Sequence, residues 1–195
     1  MLLIDDDMKK CTEQEVDRLL RIVPSPRRDE ALRYSHTFGR YCCLRSWEML
    51  SMLLQHEGIT SMPRWRYNEY GKPYLEQGPY FSISHCRQAI LVAVSDREIG
   101  VDIEAIRRAD ESLIRRTMNE AEQARIAAAP DPQRAFIALW TRKEAVVKMR
   151  GTGILDDLHG VLEPQDYQLR TIDRPDLPYI YSVAEKAPFS DAQGQ

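Results

Sequence analysis

IGVDIE (Ile99–Glu104) and WTRKEAVVKMRGTG (Trp140–Gly153) are the two stretches of this sequence that indicate its fold and its chemistry. The first is an apolar run rich in β-branched residues, which predicts a strand. Successive side chains of a strand alternate between its faces, so Asp102 and Glu104 point to the same face. Two like charges on one face are unfavourable unless a cation neutralises them. The stretch therefore predicts a strand whose end can hold a cation, and surface carboxylates at a strand end are the alternative interpretation.

The second stretch has the spacing of a helix. Glu144 and Lys148 are four residues apart, which makes them neighbours, and Phe136 and Trp140 precede them on the same stripe. An ordinary helix salt bridge is the alternative interpretation of the charged pair, but the aromatic residues indicate a face that packs against protein. Three carboxylates supply hard oxygen ligands, which suit Mg²⁺, and a lysine one turn away suits a phosphate oxygen.

The composition excludes several classes of protein. Of the 195 residues, 43% are hydrophobic and 29% charged, so the chain can form one large domain or two small ones. It contains no run of 18 apolar residues and no basic-then-apolar N-terminus, which predicts a cytoplasmic protein without a membrane partner. The four cysteines have neither disulfide nor zinc spacing and are expected to be reduced thiols: Cys11, Cys42, Cys43 and Cys86.

The charge distribution favours a compact anionic ligand. A net charge of −3 argues against a general nucleic-acid-binding protein, so no nucleic-acid partner is expected. Residues 21–72 hold nine Arg or Lys against five Asp or Glu, whereas residues 151–195 hold three against eight. For any single arginine of the basic segment, however, an ordinary solvated helix face explains the charge equally well.

The remaining pattern predicts helices alternating with short strands. Helices are expected after the capping signals Thr12–Glu15 and Asn119–Glu122, over residues 29–55 with a division near Gly39, and over residues 133–150 before Gly151. Strands are expected over residues 65–70, 80–84, 90–94, 99–103, 167–172 and 179–184. This order permits a two-lobed α+β architecture with a break near residues 96–97.

Three motifs in order give a family resemblance. FSISH (Phe81–His85), IGVDIE and WTRKEAVVKMRGTG resemble the signature motifs of the 4′-phosphopantetheinyl transferases, and more narrowly of the branch typified by the surfactin-synthetase activator. The preceding GKP (Gly71–Pro73) is also similar to that family. The resemblance runs from about Arg27 to Gly153 and departs from the family at Ser82, where Asn is usual.

The resemblance implies both a fold and an activity. The fold is α+β, with two similar lobes related by pseudo-twofold symmetry, residues 1–97 and 98–195, each a small antiparallel sheet packed with a long helix. The activity is transfer of the 4′-phosphopantetheine group from coenzyme A to a serine of an apo acyl or peptidyl carrier protein, releasing adenosine 3′,5′-bisphosphate. Fatty-acid, polyketide and peptide-synthetase carriers all remain open. A monomer is expected, because the ligand would lie in the cleft between the lobes of one chain.

The same resemblance implies a set of site residues. Mg²⁺ is the implied cofactor, coenzyme A the co-substrate, and the metal ligands are Asp102, Glu104 and Glu144. The implied catalytic residues are Glu144, as the base, with Lys148 and His85. The implied coenzyme A-binding residues are Arg28, Arg40, Lys72, Pro73, Ser84, His85, Asp102 and Lys148.

Two other functions use a comparable set of residues. A Mg²⁺-dependent nuclease of the D…ExK type also combines carboxylates with a lysine, but it places the Glu and the Lys alternately on a strand, whereas Glu144 and Lys148 have helical spacing. A non-catalytic module that binds coenzyme A or a carrier would be marked by loss of a metal carboxylate, and all three carboxylates are present.

Arginines interleaved with apolar residues lie between the two decisive stretches. This composition fits a transient interface with the acidic helix on which a carrier protein offers its serine. The residues are Ile106, Arg107, Arg108, Leu113, Ile114, Arg115, Arg116 and Met118. An amphipathic helix that buries its apolar side explains Leu113 and Ile114 equally well but explains the arginines less well.

Overall fold

The structure, a computed structural model, describes residues 1–153, 158–163 and 166–188. The elements of the N-terminal half are β1 (Leu2–Asp5), a 3₁₀ turn (Met8–Lys10), α1 (Glu13–Ile22), α2 (Arg27–Ala31), α3 (Thr37–His56), β2 (Trp65–Tyr67), β3 (Pro73–Leu75), β4 (Tyr80–Cys86) and β5 (Ala89–Ser95). Those of the C-terminal half are β6 (Ile99–Ala105), α4 (Glu111–Thr117), α5 (Glu120–Ala127), α6 (Pro132–Arg150), β7 (Tyr167–Ile172) and β8 (Tyr179–Lys186). None of the described helices is long and apolar enough to span a membrane.

The two halves repeat one topology. In each, a first strand leads through helices to an antiparallel pair, and the last strand lies in the middle of a three-stranded antiparallel sheet. The strand orders are β1-β5-β4 and β6-β8-β7, and the long helices α3 and α6 pack on these sheets. The hairpin β2-β3 forms a separate two-stranded sheet. The predicted α+β class, with small antiparallel sheets and long helices, is confirmed.

A hydrophobic core crosses the boundary between the halves. Leu91 and Ala93 of β5 pack in one cluster with Val101 and Ile103 of β6. The predicted break after residue 97 lies in the turn between these strands, so the halves share buried apolar surface there. The division into units 1–97 and 98–195 stays a prediction, and residues 189–195 lie outside the described part of the chain.

Local capping signals set most of the helix boundaries. Asn119 and Glu122 form both hydrogen bonds of a capping box at the start of α5, and α6 ends at Gly151, which adopts the left-handed conformation with φ 68°. The predicted helix over residues 29–55 is divided, but not at Gly39. The break precedes it, because the imidazole of His36 caps α3 by accepting the N–H of Gly39 at 2.9 Å.

Gly100 allows α6 to lie directly on β6. A Cβ atom at this position would lie 2.0 Å from the carbonyl oxygen of Ala145 and 2.2 Å from the backbone nitrogen of Met149. Both neighbours are backbone atoms of α6, and they cannot change rotamer to make room as side-chain atoms can. The absence of a side chain therefore sets the distance between the strand and the helix that carry the predicted site.

Candidate active site

Three carboxylates lie near one another where α6 crosses β6. Asp102 is buried, with 4% of its surface exposed, and Glu104 follows it on the same face of the strand. Burial raises the pKa of Glu104, and the charge of Asp102 raises it further. The pKa of Glu144 on α6 is raised by the same two causes in the same order. Both directions are those expected of carboxylates that repel one another in a partly desolvated place.

Lys148 and Ser84 contact one oxygen of Asp102. The ammonium Nζ of Lys148 lies 2.7 Å from Asp102 Oδ1, and the Ser84 hydroxyl donates to the same oxygen at 2.8 Å. Lys148 also donates to Ser84 Oγ at 2.9 Å. Of the two residues predicted to share a helix face, Lys148 contacts Asp102 on β6, and Glu144 experiences the charge of the same carboxylate. An ammonium has three protons, so Lys148 keeps one for another acceptor.

The donor chemistry of this cluster fits a divalent cation. Among the described residues, Asp102 Oδ2 is one of the few buried side-chain oxygens without a hydrogen-bond partner. Such an atom is costly unless a ligand satisfies it, and carboxylate oxygens are the ligands that Mg²⁺ prefers. Within the described part of the chain, no three His, Cys, Asp or Glu side chains are already gathered to hold a metal ion. Binding would therefore require Glu104 and Glu144 to turn toward Asp102.

His85 lies at the end of β4 beside the same cluster. Its ring packs edge-on against Phe38, with 5.8 Å between the ring centroids. Partial burial lowers the pKa of His85, and the positive charges of Lys148 and Arg27 lower it further. These causes all favour the neutral imidazole. An anion bound between His85 and Lys148 would reverse this effect and favour the protonated ring.

A cavity of about 280 Å³ opens between the halves next to Glu144 and Lys148. The GKP loop supplies Lys72 and Pro73 to its wall, and β4 supplies Ser82 opposite them. The GKP, FSISH and WTRKEAVVK motifs, remote in sequence, thus each contribute to the wall of one cavity. Of the predicted site residues, Lys72, Pro73, Glu144 and Lys148 line it, whereas Ser84 and His85 do not. Apolar side chains line most of the remaining wall.

Lys72 forms two hydrogen bonds to backbone carbonyls that the sequence did not indicate. Its ammonium donates to the carbonyl of Met149 at 3.0 Å and to that of Ile99 at 3.3 Å, so it ties the loop before β3 to the end of α6. Burial lowers the pKa of Lys72. One ammonium proton remains for a ligand. Its assignment to a phosphate therefore stays a prediction.

The two arginines predicted to bind coenzyme A lie on the N-terminal half. Arg28 is exposed on α2 and lies 3.9 Å from the carboxylate of Asp29. Arg40 on α3 donates from Nε to the carbonyl of Tyr34 at 2.9 Å. Neither lines the cavity beside Glu144. Their roles stay predictions.

Lys143 supports the site and was not predicted. It is completely buried beside Glu144, and its ammonium donates to the carbonyl of Thr117 at 2.7 Å, to Glu122 Oε2 at 2.6 Å and to the carbonyl of Leu158 at 2.9 Å. All three protons are used, which makes burial of this charge tolerable. The contacts fix α6 to the α4–α5 connection.

The arginine-rich segment forms α4 and its flanks, and part of it differs from expectation. Its four arginines are exposed, as predicted: Arg107, Arg108, Arg115 and Arg116. The prediction that Met118 belongs to the docking surface is wrong, because Met118 is completely buried in the cluster around Phe136 and Ile137. Ile106, Leu113 and Ile114 are half-buried against that cluster. A cavity of about 230 Å³ opens here, with Arg108 at its edge and Ile114 in its wall.

Comparison with known proteins identifies the family. Residues 98–188 match the model of the 4′-phosphopantetheinyl transferase superfamily. The resemblance found in the motifs is thereby confirmed, and the C-terminal half of the chain belongs to this superfamily. The match covers β6, α6 and the three carboxylates of the cluster.

Individual relatives agree with this assignment. The 4′-phosphopantetheinyl transferase AcpT of Salmonella typhimurium is 37% identical over 113 residues, 54% of this chain and 58% of that protein. A 4′-phosphopantetheinyl transferase of Bacillus subtilis is 30% identical over 150 residues, 72% of this chain and 65% of that protein. The 4′-phosphopantetheinyl transferase Sfp of Bacillus subtilis strain 168 is 26% identical over 152 residues, 75% of this chain and 68% of that protein. The chain thus spans less than two thirds of the length of the first two.

Proposed function

We propose that this protein transfers the 4′-phosphopantetheine group from coenzyme A to a serine of an apo acyl or peptidyl carrier protein. The observation that carries the proposal is the charged group formed by Asp102, Glu104, Glu144 and Lys148, of which Glu144 and Lys148 line a cavity between the halves. A single chain supplies all of these side chains, so the active form is proposed to be a monomer. The superfamily match and the named relatives support the assignment.

The chemistry is displacement at phosphorus. The carrier serine oxygen forms a bond to the β-phosphorus of coenzyme A, and the bond between that phosphorus and the bridging oxygen breaks. Adenosine 3′,5′-bisphosphate leaves with the electron pair. Such a reaction depends on positioning and on neutralisation of charge more than on covalent help from the enzyme.

Glu144 is the proposed base. It takes the serine proton, directly or through a water molecule, as the new bond forms. A base works best when its pKa approaches the working pH, and burial together with the charge of Asp102 raises the pKa of Glu144 in that direction. Glu144 lies on α6 at the wall of the cavity, which supports this role if the substrate binds there.

Two cationic groups are available to the phosphates. Lys148 presents its third ammonium proton to the transferring group, and His85 becomes protonated beside the developing charge. Mg²⁺, when bound by Asp102, Glu104 and Glu144, supplies charge neutralisation to the pyrophosphate. Asp102 keeps Lys148 in place through the contact at 2.7 Å.

The direct test is mass spectrometry of a purified apo carrier incubated with this chain, coenzyme A and Mg²⁺. A gain equal to one phosphopantetheine group demonstrates transfer, and a panel of carriers from the three pathways identifies the substrate. A carrier whose acceptor serine is replaced by Ala is the matched control. No gain on any carrier, with coenzyme A bound in titration, would instead indicate a non-catalytic binding module.

The nuclease alternative conflicts with the secondary structure. Glu144 and Lys148 lie on α6, one helical turn apart, and not on alternate positions of a strand. Plasmid nicking by the purified chain in Mg²⁺ would support that alternative, and the proposed function expects none.

Replacement of Lys72 by Ala should weaken binding of coenzyme A about 10- to 100-fold and weaken binding of dephospho-coenzyme A much less, if Lys72 contacts the 3′-phosphate. A hydrogen bond to a charged group contributes about 1.5–3 kcal/mol, which corresponds to that range. Isothermal titration with both ligands measures the difference, and replacement of the exposed Lys9 by Ala is the control. Equal losses for both ligands would show that Lys72 acts through its carbonyl contacts or on the pyrophosphate.

Reversal of charge at Arg115 and Arg116 should raise KM for the carrier about tenfold at low salt and flatten its dependence on salt. Both residues are exposed on α4, and the guanidinium of Arg115 lies 3.6 Å from the carboxylate of Glu111. Affinity for coenzyme A should not change. The control is the same reversal at two exposed arginines outside α4, Arg21 and Arg170. An unchanged KM for the carrier would place docking elsewhere.

A further inference from the structure

The edges of the two sheets meet beside Asp102. In the orders β1-β5-β4 and β6-β8-β7, β4 and β6 are end strands, and they lie against each other without pairing. The backbone N–H groups on such an edge need acceptors when they are buried. The N–H groups on this edge of β6 therefore need acceptors from outside their own sheet.

Two serine hydroxyls of β4 accept these N–H groups. The backbone nitrogen of Val101 donates to Ser82 Oγ at 3.0 Å, and that of Ile103 donates to Ser84 Oγ at 3.3 Å. Both serines are buried, with 4% and 7% of their surface exposed. Ser82 and Ser84 are two residues apart on β4, and the donors Val101 and Ile103 are two residues apart on β6. Because side chains and backbone N–H groups repeat every two residues along a strand, the two hydrogen bonds can form side by side. Asp102 lies between the two donors.

Ser84 uses all of its hydrogen-bonding capacity inside the protein. Its proton goes to Asp102 Oδ1, and its lone pairs accept Lys148 Nζ and the Ile103 N–H. A hydroxyl has one donor and two acceptor positions, so none remains for a phosphate of coenzyme A. Ser82 contacts neither Asp102 nor Lys148 through its hydroxyl in the bonds described, and acts only on the backbone next to the carboxylate.

We propose that Ser82 and Ser84 are positioning residues, which hold the backbone of β6 on both sides of Asp102 and so fix the direction of its carboxylate. For Ser84 this replaces the phosphate contact that the motif implied. Ser82 is the position at which this chain departs from the family pattern, and the proposed role explains what its hydroxyl does. The expected effect of the two serines on the rate of transfer rests on the proposed function, whereas their hydrogen bonds to β6 do not.

The first measurement needs no activity. Replacement of Ser82 by Ala removes the acceptor of the Val101 N–H, so hydrogen exchange of this amide, followed by NMR, should accelerate at least about tenfold. The amides of β8 that pair with β6 should keep their rates. Replacement of Ser46 by Ala is the matched control, since Ser46 is equally buried but bonds only within the N-terminal half. Ser82→Thr, which keeps the hydroxyl, should restore slow exchange at Val101.

The second measurement is the kinetics of transfer. Loss of a residue that orients a metal ligand typically costs about 10- to 100-fold in metal affinity or activity. Ser82→Ala should therefore lower kcat and raise the Mg²⁺ concentration for half-maximal rate by about that factor, with KM for coenzyme A unchanged. Ser82→Thr should recover most of the loss, and Ser46→Ala should show none. If Ser82→Ala does not fold, Ser82→Cys, similar in size but a weak acceptor, takes its place.

The outcomes separate the positioning role of Ser82 from the proposed transferase function. Unchanged Val101 exchange in Ser82→Ala, or acceleration of all core amides alike, would overturn the positioning role whatever the activity. Accelerated exchange confined to β6 with unchanged kcat and Mg²⁺ dependence would also overturn it, because the bond would then be structural only. Failure of the wild-type chain to modify any carrier would refute the proposed function but leave the exchange test of the serine contacts valid.

Discussion

Replacement of Glu144 by Gln should lower the rate of transfer at least about a hundredfold while the chain remains folded. The loss is that expected when a main electrostatic or proton-accepting group is removed, about 10²–10³-fold. Single-turnover transfer to an apo carrier at saturating Mg²⁺ measures it. The exposed Glu57, at the C-terminal end of α3, gives a matched Glu→Gln control that should retain full activity. Near-wild-type turnover of Glu144→Gln would refute the assignment of the base.

The same variant should be at least as stable as the wild type, and the difference should depend on pH. The folded state raises the pKa of Glu144, so it holds this proton more tightly than the unfolded state does. Ionisation of Glu144 therefore removes stability as pH rises from the ordinary Glu value, about 4.3, through the raised value. Thermal unfolding at pH 5 and pH 8 should show a larger advantage of Glu144→Gln at pH 8. Mg²⁺ should raise the Tm of the wild type and raise that of the variant less.

Replacement of Gly100 by Ala should destabilise the fold by about 3 kcal/mol or more. Overpacking of a core costs about 1–3 kcal/mol when side chains can adjust, but here the new Cβ would meet backbone atoms of Ala145 and Met149 at 2.0 and 2.2 Å. For a chain of this length the Tm should fall by about 6–12 °C. Differential scanning calorimetry measures the change.

Gly160 provides the control for Gly100. A Cβ atom there meets nothing nearer than a carboxylate oxygen of Glu163 at 3.6 Å, which is ordinary contact, so Gly160→Ala should leave the Tm almost unchanged. A Gly100→Ala variant with wild-type Tm would show that α6 can move away from β6 at little cost. In that case the rate of transfer should still fall, because Glu144 would shift relative to Asp102.

Elements with a complete local signal were predicted well. The capping box of α5, the glycine that ends α6 and the alternating run of β6 each contain their cause within a few residues, so the sequence alone is sufficient. The strand β1 was not predicted, because its short run Leu2–Asp5 becomes a strand only by pairing with β5. The division of α2 from α3 was misplaced for a similar reason, since His36 caps α3 through a side chain not usual in that role.

Supporting residues of the site were harder to identify than its carboxylates. Lys143 lies on an apolar stripe with Leu139 four residues before it and Val147 four residues after it, and that position is a signal of burial. The sequence does not show which acceptors a buried lysine finds. Its partners Thr117 and Glu122 come from other elements, and only the packing of α5 on α6 brings them together.

Local sequence is sufficient to predict the donor groups of the site and the face of each element on which they lie. Strand and helix periodicities place Asp102 with Glu104 and Glu144 with Lys148, because these periods depend only on backbone geometry. Tertiary packing brings the two pairs together, with Lys148 of α6 at 2.7 Å from Asp102 of β6. Their distance depends on the missing Cβ of Gly100 and on serine hydroxyls from the other half of the chain, which are contacts between residues remote in sequence. Such contacts follow from packing of whole elements, and no local pattern encodes them.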